Sequence, residues 1–185
     1  MLVSTAIVAI AEIGDKTQLL ALMLSARFRR PWVILLGILT ATLLNHAIAA
    51  LAGGWIRDAV SHDTLYIALG LSFFAIAAWA LKPDTLEVSF QPRGRSGVFA
   101  VTFAAFFLAE IGDKTQIATV ALAANYTSLV AVVAGTTLGM LAANAPAVFL
   151  ADRFSDKIPF KLIRYVAAAL FAFMGVAALF DVRAG

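Results

Sequence analysis

The 185-residue chain contains no cysteine. That absence excludes disulfides, thiolate nucleophiles and the soft sulfur ligands that favour zinc, copper or iron–sulfur centres. Histidine is nearly as scarce, with two residues, so any metal must be held by oxygen atoms or by His46 and His62. Charge is sparse as well: Asp, Glu, Lys and Arg make up 14% of the chain, against 62% hydrophobic residues and a mean hydropathy of +0.93. So apolar a chain does not have water as its solvent. Its net charge of +3 forms no basic patch or basic helix, because Lys and Arg stand at the ends of apolar segments, and nucleic acid is excluded as a partner. A phosphate-binding glycine loop, an HExxH pattern and a nucleophile-elbow serine are all missing, so no enzyme class finds its motif. Residues 1–11 carry no basic stretch ahead of their apolar run, and the start reads as a mature first helix instead of a cleaved signal peptide.

What the chain does have is apolar length. Six stretches, residues 2–25, 32–53, 64–81, 98–124, 129–151 and 160–180, are separated by polar breaks carrying turn or charge signals. A helix crossing the hydrocarbon layer needs roughly 20 such residues. The expected fold is therefore an all-α integral membrane protein of six transmembrane helices, with the lipid bilayer as its surroundings and no room for a separate soluble domain. Trp32, Trp55 and Trp79 near helix ends suit anchoring at the membrane interface.

The six segments form a repeat. Residues 11–18, AEIGDKTQ, recur unchanged as residues 109–116, and the same offset matches Leu24 with Leu122, Ala26 with Ala124 and Gly37 with Gly135. One further residue of offset pairs Tyr66, Leu71, Phe74 and Ala78 with Tyr165, Leu170, Phe173 and Ala177. The organisation read from this is a first three-helix repeat over 1–82, a linker over 83–97 containing Pro83, Pro92 and Gly94, and a second three-helix repeat over 98–185. Three is odd, so the second repeat enters the membrane from the opposite side, giving inverted-topology repeats of the kind found in secondary transporters. Arg27, Arg29, Arg30, Lys82, Arg93, Arg95, Arg153, Lys157, Lys161 and Arg164 share one side, against Arg57 and Arg183 on the other. Ten against two places the linker in the cytoplasm and both termini outside it.

Glu12, Asp15 and Lys16, and in the second copy Glu110, Asp113 and Lys114, lie in the middle of apolar segments. An ionisable group at that depth costs on the order of 2.5–3.5 kcal/mol on insertion scales, so all six must face protein or water. On a continuous helix Glu12 and Asp15 share a face and Lys16 follows one turn beyond Glu12, so the lysine would pair within its own motif. Read structurally, Glu12 with Lys16 and Glu110 with Lys114 are neutral pairs holding helices together. Each motif nevertheless keeps a carboxylate in excess, and inverted symmetry would bring the two motifs together near the midplane. Four carboxylates and two ammonium groups sum to −2, which one divalent ion or two protons would neutralise equally. Carboxylates backed by amides and hydroxyls are hard oxygen donors suited to Mg²⁺, Ca²⁺ or Mn²⁺. Glu12, Asp15, Glu110 and Asp113 are thus the candidate metal ligands, with Gln18, Gln116, Thr17, Thr115, Lys16, Lys114, Asn45 and Asn144 in second rank. On a regular helix Gln18 and Gln116 lie nearer the acidic face than Thr17 and Thr115 do. Gly14 and Gly112 permit either close helix packing or a local break, which would rearrange that order.

The second and fifth segments add Thr40, Thr42, Thr136 and Thr137, which are expected to hydrogen-bond between helices. His46 has no counterpart in the other repeat and reads as a packed or hydrogen-bonded residue before a ligand or proton relay. His62 beside Asp63 reads as a solvated loop residue. Besides a transporter, the acidic motifs allow a cation channel with a carboxylate ring, or an intramembrane metalloenzyme with one carboxylate as general base, for which no nucleophile or substrate pocket is evident.

At EIGDKT, present twice, the sequence resembles the uncharacterised protein family sixteen, whose duplicated signature is E-x-G-D-[KR]-[TS]. The resemblance covers essentially the whole chain. It implies a secondary antiporter that exports Mn²⁺, or alternatively Ca²⁺, in exchange for H⁺, from a bacterial inner membrane, without an organic cofactor. It gives functional weight to Glu12, Gly14, Asp15, Lys16 and Thr17 and to Glu110, Gly112, Asp113, Lys114 and Thr115. The sequence leaves the coupling ion and the oligomeric state open, a homo-oligomer being compatible with it.

Overall fold

The computed structural model describes residues 1–82, 97–150 and 160–181, and the described residues are helical with short turns. Most of the 83–97 linker lies outside them, as do Arg93, Arg95, Arg153, Lys157 and Arg183 of the basic residues counted for orientation. Eight helices are described: α1 (Leu2–Glu12), α2 (Lys16–Phe28), α3 (Pro31–Ala59), α4 (His62–Ala80), α5 (Val98–Glu110), α6 (Lys114–Asn125), α7 (Leu129–Phe149) and α8 (Phe160–Asp181). They match the six apolar segments, except that the first and the fourth are each divided into two short helices at the acidic motif. Among the described residues three helices, α3, α4 and α7, are long and apolar enough to cross a membrane. The outward faces are apolar too, with Leu36, Leu51, Trp55, Val130, Phe173 and Phe180 among the exposed side chains, a surface a water-soluble monomer avoids.

The division of the two segments has one local cause. Ile13 and Ile111 take φ, ψ of −63°, 121° and −59°, 118°, and the glycines that follow take φ of 79° and 73°. The amide of Asp15 then donates to the carbonyl of Glu12, and that of Asp113 to Glu110, each at 3.0 Å. This is a type II β-turn, which requires glycine at its third position. The chain re-enters a helix at once. Asp15 and Asp113 sit at the N-caps of α2 and α6, and three residues on Gln18 and Gln116 reach back to accept from the amides of Gly14 (2.8 Å) and Gly112 (2.7 Å), a variant of the capping box. E-I-G-D-K-T-Q is thus an instruction to stop one helix and start another.

Packing joins each half to the other half's counterpart. α1 lies against α7 and α5 against α3; α4 pairs with α8, and α3 with α6 and α7. The close approaches repeat as well: a Cβ added to Gly37 would stand 2.8 Å from that of Thr102 on α5, and one added to Gly135 would stand 3.1 Å from that of Ser4 on α1. Ser4 and Thr102 occupy the same place in the two repeats. Small residues let helix backbones approach where no hydrophobic force drives them together, as in lipid. Phe73 of α4 stacks on Phe171 of α8 with ring centroids 6.4 Å apart, in a buried apolar cluster that also holds Ile7 of α1 and Val132 of α7.

Candidate cation site between two helix breaks

The breaks put Glu12 and Glu110 at the C-terminal ends of α1 and α5, and Asp15 and Asp113 at the N-terminal ends of α2 and α6. All four carboxylates are buried, none more than 1% exposed. Helix N-termini carry partial positive charge and suit the aspartates; C-terminal carbonyls carry partial negative charge and suit a cation.

The lysines cross between halves. Lys16 Nζ lies 2.8 Å from Asp113 Oδ1, and Lys114 Nζ is paired with Asp15 Oδ1. The pairing expected within each motif, Glu12 with Lys16 and Glu110 with Lys114, is therefore corrected: it presumed a continuous helix, and the turn carries each lysine across to the opposite aspartate. The order of the neighbours changes for the same reason. Thr17 donates to Glu12 and stands 3.2 Å from Asp15 Oδ2; Thr115 stands 3.4 Å from Glu110 Oε2 and 3.2 Å from Asp113 Oδ2. The threonines hold the acids and the glutamines hold the turns, the reverse of the regular-helix order.

The glutamates keep open valences. Glu12 Oε1 accepts from Thr17 and from Asn144 Nδ2 (3.2 Å), while its Oε2 has no hydrogen-bond partner. Glu110 Oε1 and Asn144 Oδ1 are likewise buried without one. Gln18 Nε2 donates to the Ala143 carbonyl (2.9 Å), and Gln116 Nε2 lies 3.5 Å from Asn45 Oδ1, whose own amide donates to the Phe107 carbonyl (3.1 Å). Asn144 therefore touches a carboxylate and Asn45 does not. Among the described residues no three carboxylate or imidazole side chains converge tightly enough to enclose an ion. The aspartates are turned to the two ammonium groups instead.

Thr40 and Thr136 bond to carbonyls of their own helices, Leu36 and Gly37, and Val132 and Val133, so the expected helix-to-helix bonds are not made there. Thr42 and Thr137 are buried with hydroxyls unpartnered. His62 is exposed, 3.5 Å from Asp63, as the sequence implied, but it opens α4 and is not a loop residue. His46 is packed, as the sequence implied, but not hydrogen-bonded. It is fully buried with its Nε2 3.7 Å from Glu110 Oε2, and neither ring nitrogen has a hydrogen-bond partner. Its pairing with Asn144 at the 98-residue offset of the repeat was the available signal for that place beside Glu110.

The profile of the divalent cation/proton antiporter family GDT1 matches residues 1–87 and 98–185, once over each half. The chain belongs to the GDT1 family. Its doubled motif is the signature by which the sequence was likened to uncharacterised family sixteen. Among relatives of the GDT1 chain, the Vibrio cholerae "Putative manganese exporter" is 50% identical over 181 residues, covering 96% of this chain and 89% of its own. A GDT1-like protein of Synechocystis is 31% identical, covering 82% and 84%, and GDT1-like protein 3 of rice is 26% identical, covering 96% and 72%. No solved structure matches. Members of GDT1 are membrane transporters, and this one has apolar helices and a doubled acidic motif to match.

Proposed function

We propose that this GDT1 protein is a bacterial inner-membrane antiporter that exports Mn²⁺ in exchange for H⁺, with Ca²⁺ as the alternative cargo. Six spans form two inverted three-helix repeats, α1–α2 and α5–α6 each making one broken span, with the termini outside the cytoplasm. Glu12, Asp15, Glu110 and Asp113 bind the cargo, and Asn144 supplies an amide oxygen. One observation carries this reading: two buried glutamates, each with an oxygen left unpartnered, stand beside two aspartates held by ammonium groups of the opposite half. Buried anionic oxygens without donors are costly, and a cation is the natural partner for them.

The crossed lysines give the site its resting condition. Each ammonium supplies a positive charge to an aspartate while no cargo is present. An arriving divalent ion competes for the same oxygens, and its two charges are matched by two protons when it leaves. Exporting a divalent ion against 100 mV, inside negative, costs roughly 4.6 kcal/mol from charge alone, so export needs a coupled ion. Manganese as the cargo is supported by the name of the Vibrio cholerae relative.

Ion flux into proteoliposomes decides the matter, with Mn²⁺, Ca²⁺ and Mg²⁺ tested under imposed proton gradients. Uphill Mn²⁺ movement driven by the proton gradient alone is expected, and Glu12→Gln, Asp15→Asn, Glu110→Gln and Asp113→Asn should each abolish it. Flux that only ever runs downhill would replace the antiporter by a channel.

A further inference from the structure

The two halves of the site are not chemically equal. Beside Glu12 stands the amide of Asn144 on α7; beside Glu110 stands the imidazole of His46 on α3. At the 98-residue offset that pairs Glu12 with Glu110 and Gly37 with Gly135, Asn144 is the counterpart of His46. The nitrogen donor thus occurs on one side only.

The ring of His46 is in an unusual condition for a buried histidine. A neutral imidazole has one donor and one acceptor nitrogen, and buried polar groups of this kind are nearly always satisfied. Here both nitrogens lack a hydrogen-bond partner at 0% exposure. The separation of 3.7 Å from Glu110 Oε2 is too long for a hydrogen bond. It does fit two atoms sharing a metal: an ion about 2.1 Å from each would be bridged at an angle of roughly 120°. Glu110 Oε1, also unpartnered, offers a second oxygen next to the same gap.

We propose that His46 is a nitrogen ligand to the transported cation, and that this one-sided donor makes the site prefer a first-row transition-metal ion, Mn²⁺, over Ca²⁺. The inference rests on the cation-exchange reading above and deepens it by assigning the source of selectivity. Ca²⁺ takes 6–8 oxygen ligands, whereas imidazole is a ligand of transition-metal ions. An all-oxygen arrangement of four carboxylates and an amide would serve both ions; one nitrogen in the set penalises the harder one.

The test uses the full-length protein carrying His62→Gln, so that His46 is the single histidine, loaded with Mn²⁺ alone. Electron spin echo spectra should show modulation from a directly bound imidazole nitrogen, changing as expected when histidine is labelled with ¹⁵N. In proteoliposomes, His46→Gln should lower the ratio of Mn²⁺ to Ca²⁺ transport roughly 10–100-fold, mainly through loss of Mn²⁺ affinity, with Ca²⁺ exchange retained. Mn²⁺ bound in a manner abolished by Glu110→Gln, yet without nitrogen modulation, would overturn the role of His46 and leave the exchanger intact. An unchanged selectivity ratio would do the same. Failure of the native protein to bind Mn²⁺ at all would instead overturn the exchange reading itself. The spectroscopic arm needs no change at position 46, so it decides even if His46→Gln fails to fold.

Discussion

Lys114 is 5% exposed and Asp15 not at all, whereas Lys16 keeps about a quarter of its surface open. The two crossed pairs therefore differ in what their loss should cost. Removing one partner of a buried ion pair strands the other and typically costs about 3–5 kcal/mol, while solvent screens a partly exposed one. Lys114→Gln should accordingly lower the thermal unfolding temperature in detergent more than Lys16→Gln does. The double variant Asp15→Asn with Lys114→Gln should recover most of that stability without recovering transport. Equal losses from the two single variants would refute the difference in burial. Thr17→Val should reduce cation exchange more than Gln18→Leu, because Thr17 touches both acids of its motif and Gln18 touches none. Proteoliposome flux reads that comparison directly. The identities of the acidic residues were legible from charge inside apolar sequence. Their partners were not, since a lysine one turn from a glutamate looks like its mate only while the helix is presumed straight.

At the scale of elements, the apolar segments were readable because about 20 residues without charge have few other destinations. The breaks in the first and fourth were open at Gly14 and Gly112 only as an alternative to close packing, because apolar sequence runs without pause into the motif. What could have exposed them is chemistry within the motif itself: glycine at the third place of a turn, then Asp-x-x-Gln at a helix start. Gly112 allows this to be tested cleanly. A Cβ there would meet nothing within 4 Å, so Gly112→Ala should cost only the left-handed backbone conformation, roughly 1–2 kcal/mol. The protein should fold, be destabilised by about that amount in denaturant or thermal assays, and exchange ions poorly because α6 and Asp113 shift. Gly135→Leu poses a different problem. Its side chain would press on the Met1 carbonyl, 2.6 Å from the first added carbon, and on Ser4. Separation of α7 from α1 and loss of folded yield in detergent chromatography are expected.

For the whole molecule, the packing of the halves is close to reciprocal but not fully so. α8 rests against α1 and α4 against α6, while α4 with α5 and α2 with α8 are not packed to a similar extent among the described residues. In a protein built of two like units, such inequality is the expected mark of a conformation open toward one side, with the opposite state reached when the units exchange arrangements. A cysteine replacing Lys16 should therefore react with a soluble thiol reagent faster than one replacing Lys114, and the order should equalise or invert when the cation gradient is reversed. Side-specific labelling of cysteines placed at positions 90 and 184 checks the orientation: an impermeant reagent outside whole cells should reach 184 and not 90.

The reciprocity of Lys16 with Asp113 and Lys114 with Asp15 also bears on how such a chain came to exist. Each half supplies the counterion the other lacks, which is the contact pattern of a two-fold symmetric dimer: residue i meets j and j meets i. Residues 11–18 and 109–116 are identical, so two copies of one half carry everything needed to form both pairs. A gene encoding residues 1–82 alone should yield little protein unless its product inserts in both orientations and associates, whereas residues 1–82 and 97–185 made as separate chains should rescue each other. Fusion of two such copies would have freed them to diverge. The histidine on α3, where the other half has Asn144, is what divergence of that kind leaves behind.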